Sequence, residues 1–526
     1  MNTSRAGEAM MPDGIVLRAD IHRPEGLEKT PTILVRIPFN NSLKNRLRSD
    51  AIGRFWAARG YTVVVQGTRG RYRSDGDFYP AVNERDDGLA TLAWLKTQPW
   101  YDGRLAMWGG SAFGHTQWAI SDQAEIDAFA VQIASSSYEK TFWPGGAFAL
   151  ESALYWALVS PPEKDRQTTS EEIQQGAEGW PVVEADDRAL QDVPFFNDWA
   201  QNGSGSPYWQ RTDGIERADN VDAPILLLGG WFDPFLPTML EDFASLQRST
   251  SEAARKSRMI IGPYTHAGEI AWPGHEPIDA PYRKDSVEPV LDWFDQHLNV
   301  HETNRSFAPL RIFVMGTNIW RDEDSWPLAR AVPTRFHFHP NGSLSKEGLA
   351  SSSQVGFTYD PEAPVPTSGG AMLGPRSGIK QQAEPGGRDD VLSFVSEPLA
   401  QPLEATGPLT AELWVETSAP STDFTVKLID VYPDGKAFNV SDGILRRTYS
   451  PGEPIEVKVE LDPTAYVFLE GHRLRVDISS SNFPRFDRNP NTGEDAATAQ
   501  ITRLAQQSLL LSPERPSVIV LPVIPQ

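Results

Sequence analysis

The stretch Arg104-Leu-Ala-Met-Trp-Gly-Gly-Ser-Ala-Phe-Gly114 decides the fold of this 526-residue chain. A short apolar run ends in small residues around one serine, and a helix-compatible segment, His115-Thr-Gln-Trp-Ala-Ile120, follows at once. Strand, tight turn and helix in this order are what a nucleophile elbow requires, with glycines where the strand and the helix approach each other. The pattern predicts that Ser111 is held in a strained turn with an exposed hydroxyl, which suits covalent chemistry.

Short β-branched runs alternate with helical patterns on both sides of this elbow. The predicted strands cover residues 15–21, 32–37, 61–65, 105–108, 128–133, 224–228 and 258–261, and the predicted helices include 47–59 and 86–96. This alternation predicts a parallel sheet with helices on its faces. Strand signals are missing from about 141 to 221, where helical patterns replace them, so we expect a helical insertion that interrupts the sheet.

The pattern changes again near Ser306. Strand-like runs begin with Leu310-Arg-Ile-Phe-Val-Met315 and continue to the end of the chain, with Pro, Gly and Ser between them and a Pro- and Gly-rich segment at 361–389 that reads as a long loop. We expect an all-β sandwich of roughly 200 residues. The predicted domains are an α/β domain at 1–140 and 222–305, a helical insertion at 141–221 and the sandwich at 306–526.

Composition excludes several classes of protein. The chain has no Cys, which rules out disulfides, thiolate metal sites and cysteine catalysis. Its formal net charge of −22 argues against a surface for nucleic acid or for an anionic membrane. Residues 1–26 hold no apolar run of signal-peptide length, and no stretch approaches a membrane span. We therefore expect a soluble, cytoplasmic protein.

An exposed serine needs a base to take its proton, and the base needs a carboxylate that orients it. In α/β sheets of this kind the acid and then the base follow the serine in the chain, each just past the end of a later strand. Asp233 follows the strand 225–228 in Gly229-Gly-Trp-Phe-Asp233, and His266 follows the strand 259–261 in Gly262-Pro-Tyr-Thr-His266. The order predicts a triad of Ser111, Asp233 and His266.

Other titratable residues fit this chemistry less well. His115 follows the elbow too closely to reach the serine hydroxyl, and we expect it to help cap the next helix. His337 and His339 alternate on one strand without an obvious third metal ligand, so we expect packing or surface roles. Asp86 and Asp87 fall in the first turn of a predicted helix, where negative charge suits the helix dipole.

Further motifs extend over nearly the whole chain. They are Asp13-Gly14, Arg36-Ile-Pro-Phe39, Thr68-Arg-Gly70, Ser74-Asp-Gly-Asp77, Gln98-Pro-Trp100, Gly145-Gly-Ala147, Phe294-Asp-Gln-His-Leu298 and Arg311-Ile-Phe-Val-Met-Gly316. With the elbow and the two later motifs, the chain resembles the cocaine-esterase-like hydrolases, a group that includes X-prolyl dipeptidyl peptidases, α-amino-acid ester hydrolases and cephalosporin acylases. The resemblance implies an α/β-hydrolase fold with an inserted helical cap and a C-terminal jelly-roll sandwich.

The resemblance also implies a role for each site residue. Ser111 would be the nucleophile, His266 the general base and acid, and Asp233 the residue that orients His266. The backbone N–H of Ala112 would form one half of the oxyanion hole.

The second oxyanion donor in this family is a Tyr hydroxyl in a Pro-Tyr pair, and here the matching residue is Phe39. Either Asn40 or Asn41 substitutes for that hydroxyl, or Phe39 is only part of an apolar pocket wall and Ala112 acts alone. Loss of one such donor lowers the rate by about 10²–10³-fold.

The segment after Asp233 bears on the substrate. The amino-ester hydrolases hold the ammonium group of the substrate with carboxylates that closely follow the triad Asp, whereas Pro234-Phe-Leu-Pro237 stands here. An uncharged acyl group is therefore favoured. By the resemblance, Phe39, Trp143, Trp156 and Phe235 line the acyl pocket, and the alternative is that the two tryptophans and Phe235 are simply core of the cap.

These residues favour a serine hydrolase for a carboxylic ester with an uncharged acyl group, aromatic groups included. A small-molecule amidase or acylase is the first alternative, followed by an X-prolyl peptidase and by a weakly catalytic binding protein. The expected partner is a small-molecule ester or amide, with no nucleic acid, membrane, metal or organic cofactor. The oligomeric state, including a homo-oligomer, stays open.

Overall fold

The structure is a computed structural model that describes residues 2–160, 168–212, 214–267, 287–301 and 308–525. Within this part of the chain, ten strands form one mixed sheet in the order β1-β2-β4-β3-β5-β6-β7-β8-β9-β10. The strands are β1 Asn2–Met10, β2 Val16–Arg23, β3 Thr30–Ile37, β4 Thr62–Gly67, β5 Tyr101–Gly110, β6 Ala128–Gln132, β7 Ile225–Phe232, β8 Arg258–Thr265, β9 Leu310–Val314 and β10 Ile319–Glu323.

The centre of this sheet is parallel. All pairings from β4 through β3 and β5 to β9 run parallel, while the first two strands and β10 pair antiparallel with their neighbours. Both faces are buried, because Ile33 and Val35 point into one apolar cluster and Leu34 points into another. Continuous burial of the strands is typical of a parallel sheet covered by helices.

Helices cover both faces of the sheet and fill the segment between β6 and β7. They are α1 Leu43–Ala57, α2 Glu84–Lys96, α3 Ala112–Trp118, α4 Tyr138–Phe142, α5 Leu150–Val159, α6 Ser170–Ala177, α7 Ala185–Ala189, α8 Pro194–Gln201, α9 Ile215–Ala218, α10 Leu236–Arg248, α11 Glu252–Arg255 and α12 Glu288–Leu298. The predicted placement of Asp86 and Asp87 in the first turn of a helix is confirmed in α2.

Helices α4 to α9 form the helical segment between β6 and β7. No strand occurs among the described residues from 141 to 221, as the sequence predicts. Thr169 caps α6 with a reciprocal bond to Glu172, which is a capping box. Hydrogen bonds from the N–H of Phe148 to Asp487 (2.9 Å) and from the N–H of Glu151 to the carbonyl of Pro484 (3.0 Å) fasten this segment to the C-terminal part of the chain.

The C-terminal part holds two further sheets, of seven and four strands. Their strands are β11 Val332–Phe338, β12 Leu344–Ser345, β13 Ser353–Tyr359, β14 Leu392–Val395, β15 Leu403–Thr417, β16 Ser421–Val431, β17 Ala437–Thr448, β18 Ile455–Phe468, β19 Arg473–Ser479, β20 Ala505–Leu511 and β21 Val518–Ile524. Leu413 of β15 and Val426 of β16 share one core, so the sheets pack as a sandwich.

The assignment of Leu310–Met315 to the sandwich was wrong. This run forms β9, which pairs in parallel with β8 and extends the mixed sheet. The apolar residues of this run would suit a strand of the sandwich or of the mixed sheet. The run pairs with the mixed sheet because it lies next to β8. The predicted domain boundary between residues 305 and 306 lies outside the described residues. The described helices include none with the length and apolarity that crossing a membrane requires.

Candidate active site

Ser111 stands between the end of β5 at Gly110 and the start of α3 at Ala112. Its φ of 56° and ψ of −130° place a non-glycine residue in a strained conformation. The N–H of Ser111 donates to the carbonyl of Gln132 on the neighbouring strand (2.8 Å), and the Ser111 carbonyl accepts from Gly114 (2.8 Å). These bonds hold the strained turn, and the sequence prediction of an elbow matches this geometry.

Two glycines make the turn sterically possible. A Cβ on Gly109 would lie 2.3 Å from the Cβ of Phe113, and a Cβ on Gly114 would lie 2.5 Å from the Cβ of Ala134. Both distances are far inside van der Waals contact, so α3 could not pack this closely on β5 and β6 with larger residues. The motif Gly109-x-Ser111-x-x-Gly114 therefore reflects helix–strand packing as well as the turn itself.

The structure brings the three predicted residues together. Ser111 Oγ lies 3.0 Å from His266 Nε2, and His266 Nδ1 lies 2.8 Å from Asp233 Oδ2. Asp233 follows the end of β7 and His266 follows the end of β8, so the parallel strands deliver all three residues to one edge of the sheet. With the Nδ1 proton directed at Asp233, Nε2 accepts the hydroxyl proton of Ser111.

Asp233 is built into the protein interior. It has no solvent exposure, and its Oδ1 accepts a hydrogen bond from the N–H of Phe235 (2.9 Å). The Phe235 ring lies 5.5 Å from the His266 ring. One carboxylate oxygen is therefore fixed by the backbone and the other is aimed at His266, which limits the rotation of both side chains.

The residues on the oxyanion side of the site are a helix N-terminus and an apolar ring. Ala112 opens α3, and the first N–H groups of a helix have no intrahelical acceptor. The Phe39 ring packs edge-on against Phe113 with centroids 4.9 Å apart, and the Arg48 guanidinium lies 5.0 Å from the Phe39 centroid. Phe39 thus lies beside the elbow with an apolar ring.

The two asparagines after Phe39 have different surroundings. Asn40 Oδ1 accepts hydrogen bonds from the N–H of Ser42 (3.2 Å) and from Asn45 Nδ2 (2.8 Å), so the start of α1 fixes the orientation of this amide. Asn41 is exposed. Of the two predicted substitutes, Asn40 has the better defined side chain.

The predicted acyl-pocket residues separate into two groups. Phe235 contacts His266, as described above, and Phe39 lies beside the elbow. Trp143 donates from Nε1 to the carbonyl of Trp199 (3.0 Å) and lines a cavity of about 490 Å³. Pro234 also lines that cavity, but Ser111 and His266 do not. Trp156 is half-buried on α5, and the structure gives it no contact with the triad.

The prediction that His115 helps cap a helix was wrong. His115 lies inside α3, is buried, and stacks on the Tyr138 ring at 4.2 Å. Burial lowers the pKa of His115 to about 4. Tyr138 lies 6.3 Å from Phe235 as well, and the sequence analysis did not single it out. Tyr138 directly follows the serines at 135–137, which come just after β6, and this position at the end of a strand could have indicated that it lies near the site.

His337 and His339 lie in the C-terminal part of the chain. His337 lies on β11, and burial lowers its pKa, while His339 Nε2 lies 3.0 Å from Ser345 Oγ. Both are packing residues of the sandwich, in agreement with the sequence analysis. No group of three or more metal-binding side chains occurs among the residues that the structure describes.

Two family models match the chain. Residues 13–268 match the X-Pro dipeptidyl-peptidase (S15) family, and residues 305–520 match the X-Pro dipeptidyl-peptidase C-terminal non-catalytic domain. Among solved structures, an aminopeptidase from a marine sediment Thaumarchaeota archaeon is similar, with a TM-score of 0.85 and 24% identity over 100% of this chain and 97% of its own. An α-amino acid ester hydrolase has a TM-score of 0.82 and 23% identity over 99% and 96%. These likenesses show the fold, an α/β hydrolase with a C-terminal β-sandwich.

A curated relative is more similar in sequence. The cocaine esterase of Rhodococcus sp. (strain MB1 Bresler) is 33% identical over 99% of this chain and 99% of its own length. Identity at this level along the full length, together with the two family models, goes beyond a shared fold. The chain belongs to the cocaine-esterase-like (CocE/NonD) family of serine hydrolases and is a carboxylic ester hydrolase.

Proposed function

We propose that this protein hydrolyses small-molecule carboxylic esters with an uncharged acyl group, aromatic groups included, through an acyl-enzyme on Ser111. The observation that carries the proposal is the hydrogen-bond chain from Ser111 Oγ to His266 Nε2 (3.0 Å) and from His266 Nδ1 to Asp233 Oδ2 (2.8 Å). A nucleophile, a base and an orienting carboxylate at these distances are the elements of acyl transfer.

In the first half-reaction, Ser111 Oγ attacks the ester carbonyl carbon while His266 Nε2 takes the hydroxyl proton. Asp233 stabilises the imidazolium that forms, and the N–H of Ala112 donates to the oxyanion. When the tetrahedral intermediate collapses, the bond to the alcohol oxygen breaks and His266 returns the proton to that oxygen. The alcohol leaves and the acyl group stays on Ser111.

In the second half-reaction, water replaces the alcohol. His266 takes a proton from the water, the hydroxide attacks the acyl carbon, and Ser111 leaves with the proton that His266 gives back. The sum is ester plus water to carboxylic acid plus alcohol, with the protein unchanged.

The acyl preference follows from the surroundings of His266. The Phe235 ring lies 5.5 Å from the imidazole ring, and the segment Pro234-Phe-Leu-Pro237 offers no carboxylate to an ammonium group. An apolar wall favours uncharged and aromatic groups. An X-prolyl peptidase would need acidic groups for the free amino terminus, so a peptidase activity is less favoured.

The second oxyanion donor is part of the proposal. We assign it to the side-chain amide of Asn40 or Asn41, and the fixed orientation of Asn40 favours the first of these. A preorganised donor stabilises developing charge better than a mobile one.

The architecture of the substrate site belongs to the same proposal. We assign residues 141–221 as a helical cap over the triad, 1–140 and 222–305 with β9 and β10 as the α/β-hydrolase domain, and the strands from β11 to β21 as a jelly roll. The bonds from Phe148 to Asp487 and from Glu151 to Pro484 support a cap that is held from the C-terminal side.

The test is active-site labelling followed by a substrate panel. A fluorophosphonate should modify the wild-type protein stoichiometrically at Ser111 and should not modify Ser111→Ala. Aryl and alkyl esters should then be hydrolysed faster than the matching anilides. Failure of the folded wild-type protein to react would favour a binding protein, and faster anilide cleavage would favour the amidase.

A further inference from the structure

Arg71 is a buried cation at the same edge of the sheet as the candidate triad. It follows the end of β4 by four residues, and only 4% of its surface is exposed. Because β4, β3 and β5 run parallel, their carboxyl ends share one edge, and β3 alone separates β4 from β5. At about 4.8 Å between neighbouring strands, β4 lies about 10 Å from the strand that carries Ser111.

Few groups satisfy this guanidinium. Nη2 donates to the carbonyl of Ser160 (2.6 Å), which is the C-cap of α5, and the group stacks on the Phe78 ring at 3.6 Å. Nε is buried and has no hydrogen-bond partner. Burial lowers the pKa of Arg71 to about 10. Among the described residues, no carboxylate contacts Arg71.

Two other buried arginines of the chain are neutralised by carboxylates. Arg446 lies between Asp423 and Asp487, and Arg485 lies between Asp442 and Asp462. A buried charge without a carboxylate partner is unfavourable, and the helix C-terminus and one aromatic ring compensate only part of it. The charge of Arg71 therefore points to a partner outside the described residues.

The position of Arg71 places that partner near the substrate. The N–H of Tyr72, the next residue, donates to the carbonyl of Phe39 (2.8 Å), and the Phe39 ring packs on Phe113 in α3. In the strand order, β4 lies on one side of β5, whereas β7 and β8, which lead to Phe235 and His266, lie on the other. In the strand order, the strand before Arg71 and the strand before Phe235 thus lie on opposite sides of the strand that leads to Ser111.

We propose that Arg71 binds a carboxylate on the alcohol part of the ester substrate. The assignment to the alcohol part rests on the proposed function, which gives the acyl part the apolar wall at Phe235. A guanidinium pairs with a carboxylate through two parallel hydrogen bonds. The net charge of −22 provides no general attraction for an anion, so a local cation has to supply the selectivity.

The experiment compares 4-(benzoyloxy)benzoate with its methyl ester, which masks the carboxylate, and follows the release of benzoate from each. For Arg71→Met we expect kcat/KM to fall about 10- to 100-fold on the carboxylate and to stay within about threefold on the methyl ester. Arg71→Lys, which keeps the charge but not the fork, should fall between Arg71→Met and wild type. An equal change on both substrates, or a fall restricted to esters with an acyl-side carboxylate, overturns the proposal.

A matched control is Arg488→Met. Arg488 is buried, contacts no carboxylate among the described residues, and donates to the carbonyls of Pro361 (3.1 Å) and Gly179 (2.9 Å) between two aromatic rings. Its loss should lower stability and leave the ratio of kcat/KM for the two substrates unchanged. A changed ratio in Arg488→Met would attribute the effect to general instability and count against Arg71.

Inhibition of the wild-type protein gives a second measurement that needs no variant. Against hydrolysis of the neutral ester, 4-hydroxybenzoate should inhibit at least tenfold more strongly than methyl 4-hydroxybenzoate. Equal inhibition overturns the proposal. Hydrolysis of the neutral ester and labelling of Ser111 test the proposed function separately, so the proposal on Arg71 can fail while the esterase function stands.

Discussion

The molecule contains two His–Asp pairs with similar geometry and different surroundings. His266 Nδ1 lies 2.8 Å from Asp233 at the edge of the parallel sheet, and His472 Nδ1 lies 2.9 Å from both oxygens of Asp430 in the sandwich. Both carboxylates are buried. The far nitrogen of His266 meets a serine hydroxyl, whereas the Tyr432 ring packs on His472 at 4.5 Å and the Tyr466 hydroxyl donates to Asp430.

The difference shows that a His–Asp pair does not make a catalytic site by itself. The pair at Asp233 contacts a serine because the strained elbow after β5 and the ends of β7 and β8 meet at one edge. The pair at Asp430 joins β16 to the start of β19 and is closed by aromatic rings. We therefore expect a chemical role for the first pair and a structural role for the second.

The largest test of this comparison removes each histidine in turn. His266→Gln should lower kcat by up to about 10⁶-fold with little change in Tm, because His266 is the base that contacts the Ser111 hydroxyl among the described residues. His472→Gln should leave kcat within about twofold and lower the free energy of unfolding by about 1–3 kcal/mol, because Asp430 loses a buried partner. Ester hydrolysis and urea unfolding measure both, and a large loss of kcat in His472→Gln would break the comparison.

The carboxylates give the next largest effect. Asp233→Asn should lower kcat about 10⁴-fold, since the amide favours the wrong tautomer of His266 while leaving the fold intact. Asp430→Asn should change stability alone. If the pH profile and kcat of Asp233→Asn match the wild type, Asp233 does not orient His266 and the triad assignment is wrong.

The sequence predicted those elements and site residues that depend on local patterns and on the order of strands along the chain. Strands β3 to β8 and helices α1 and α2 lie within a few residues of their predicted positions, because apolar runs and helical periods are local signals. Ser111, Asp233 and His266 meet because parallel strands bring their carboxyl ends to one edge, and that rule needs no coordinates.

Features that depend on distant partners could not be predicted in the same way. The run that forms β9 is equally apolar in either sheet, so only its neighbour β8 reveals its place. The strand β1, Asn2–Met10, is mostly exposed and lacks an apolar alternation. The sequence around His115 does not indicate that the Tyr138 ring covers it. The sequence around Arg71 does not indicate that this buried guanidinium has no carboxylate in contact among the described residues.

Substitutions on the oxyanion side of the site should change kcat by an intermediate factor. Phe39→Tyr should raise kcat, by up to about 10²–10³-fold if the new hydroxyl reaches the oxyanion. Asn40→Ala should lower kcat by a similar factor if Asn40 is the present donor, and Asn41→Ala should do so if Asn41 is the donor. The proposal predicts a loss in one of the two alanine variants, and wild-type kcat in both would leave Ala112 as the sole donor.

A third histidine, His115, should give the smallest effect, which is a change in the pH dependence of stability. It extends the comparison to a buried histidine that has no carboxylate in contact among the described residues. Burial lowers the pKa of His115 from 6.5 to about 4. As the pH falls below about 6.5, the unfolded chain binds a proton at this residue and the folded protein does not. The resulting stability loss accumulates between about pH 6.5 and 4 and reaches at most about 3 kcal/mol.

His115→Gln removes this titration and should flatten the fall in unfolding free energy over that pH range, as measured by urea unfolding at each pH. His301→Gln, at an exposed histidine, is the matched control and should keep the wild-type slope. The sign is decisive, because burial lowers the pKa of His115 and stability must then fall, not rise, as the pH falls. A wild-type slope in His115→Gln would mean that the folded protein protonates His115 and that its burial beneath Tyr138 is not maintained in solution.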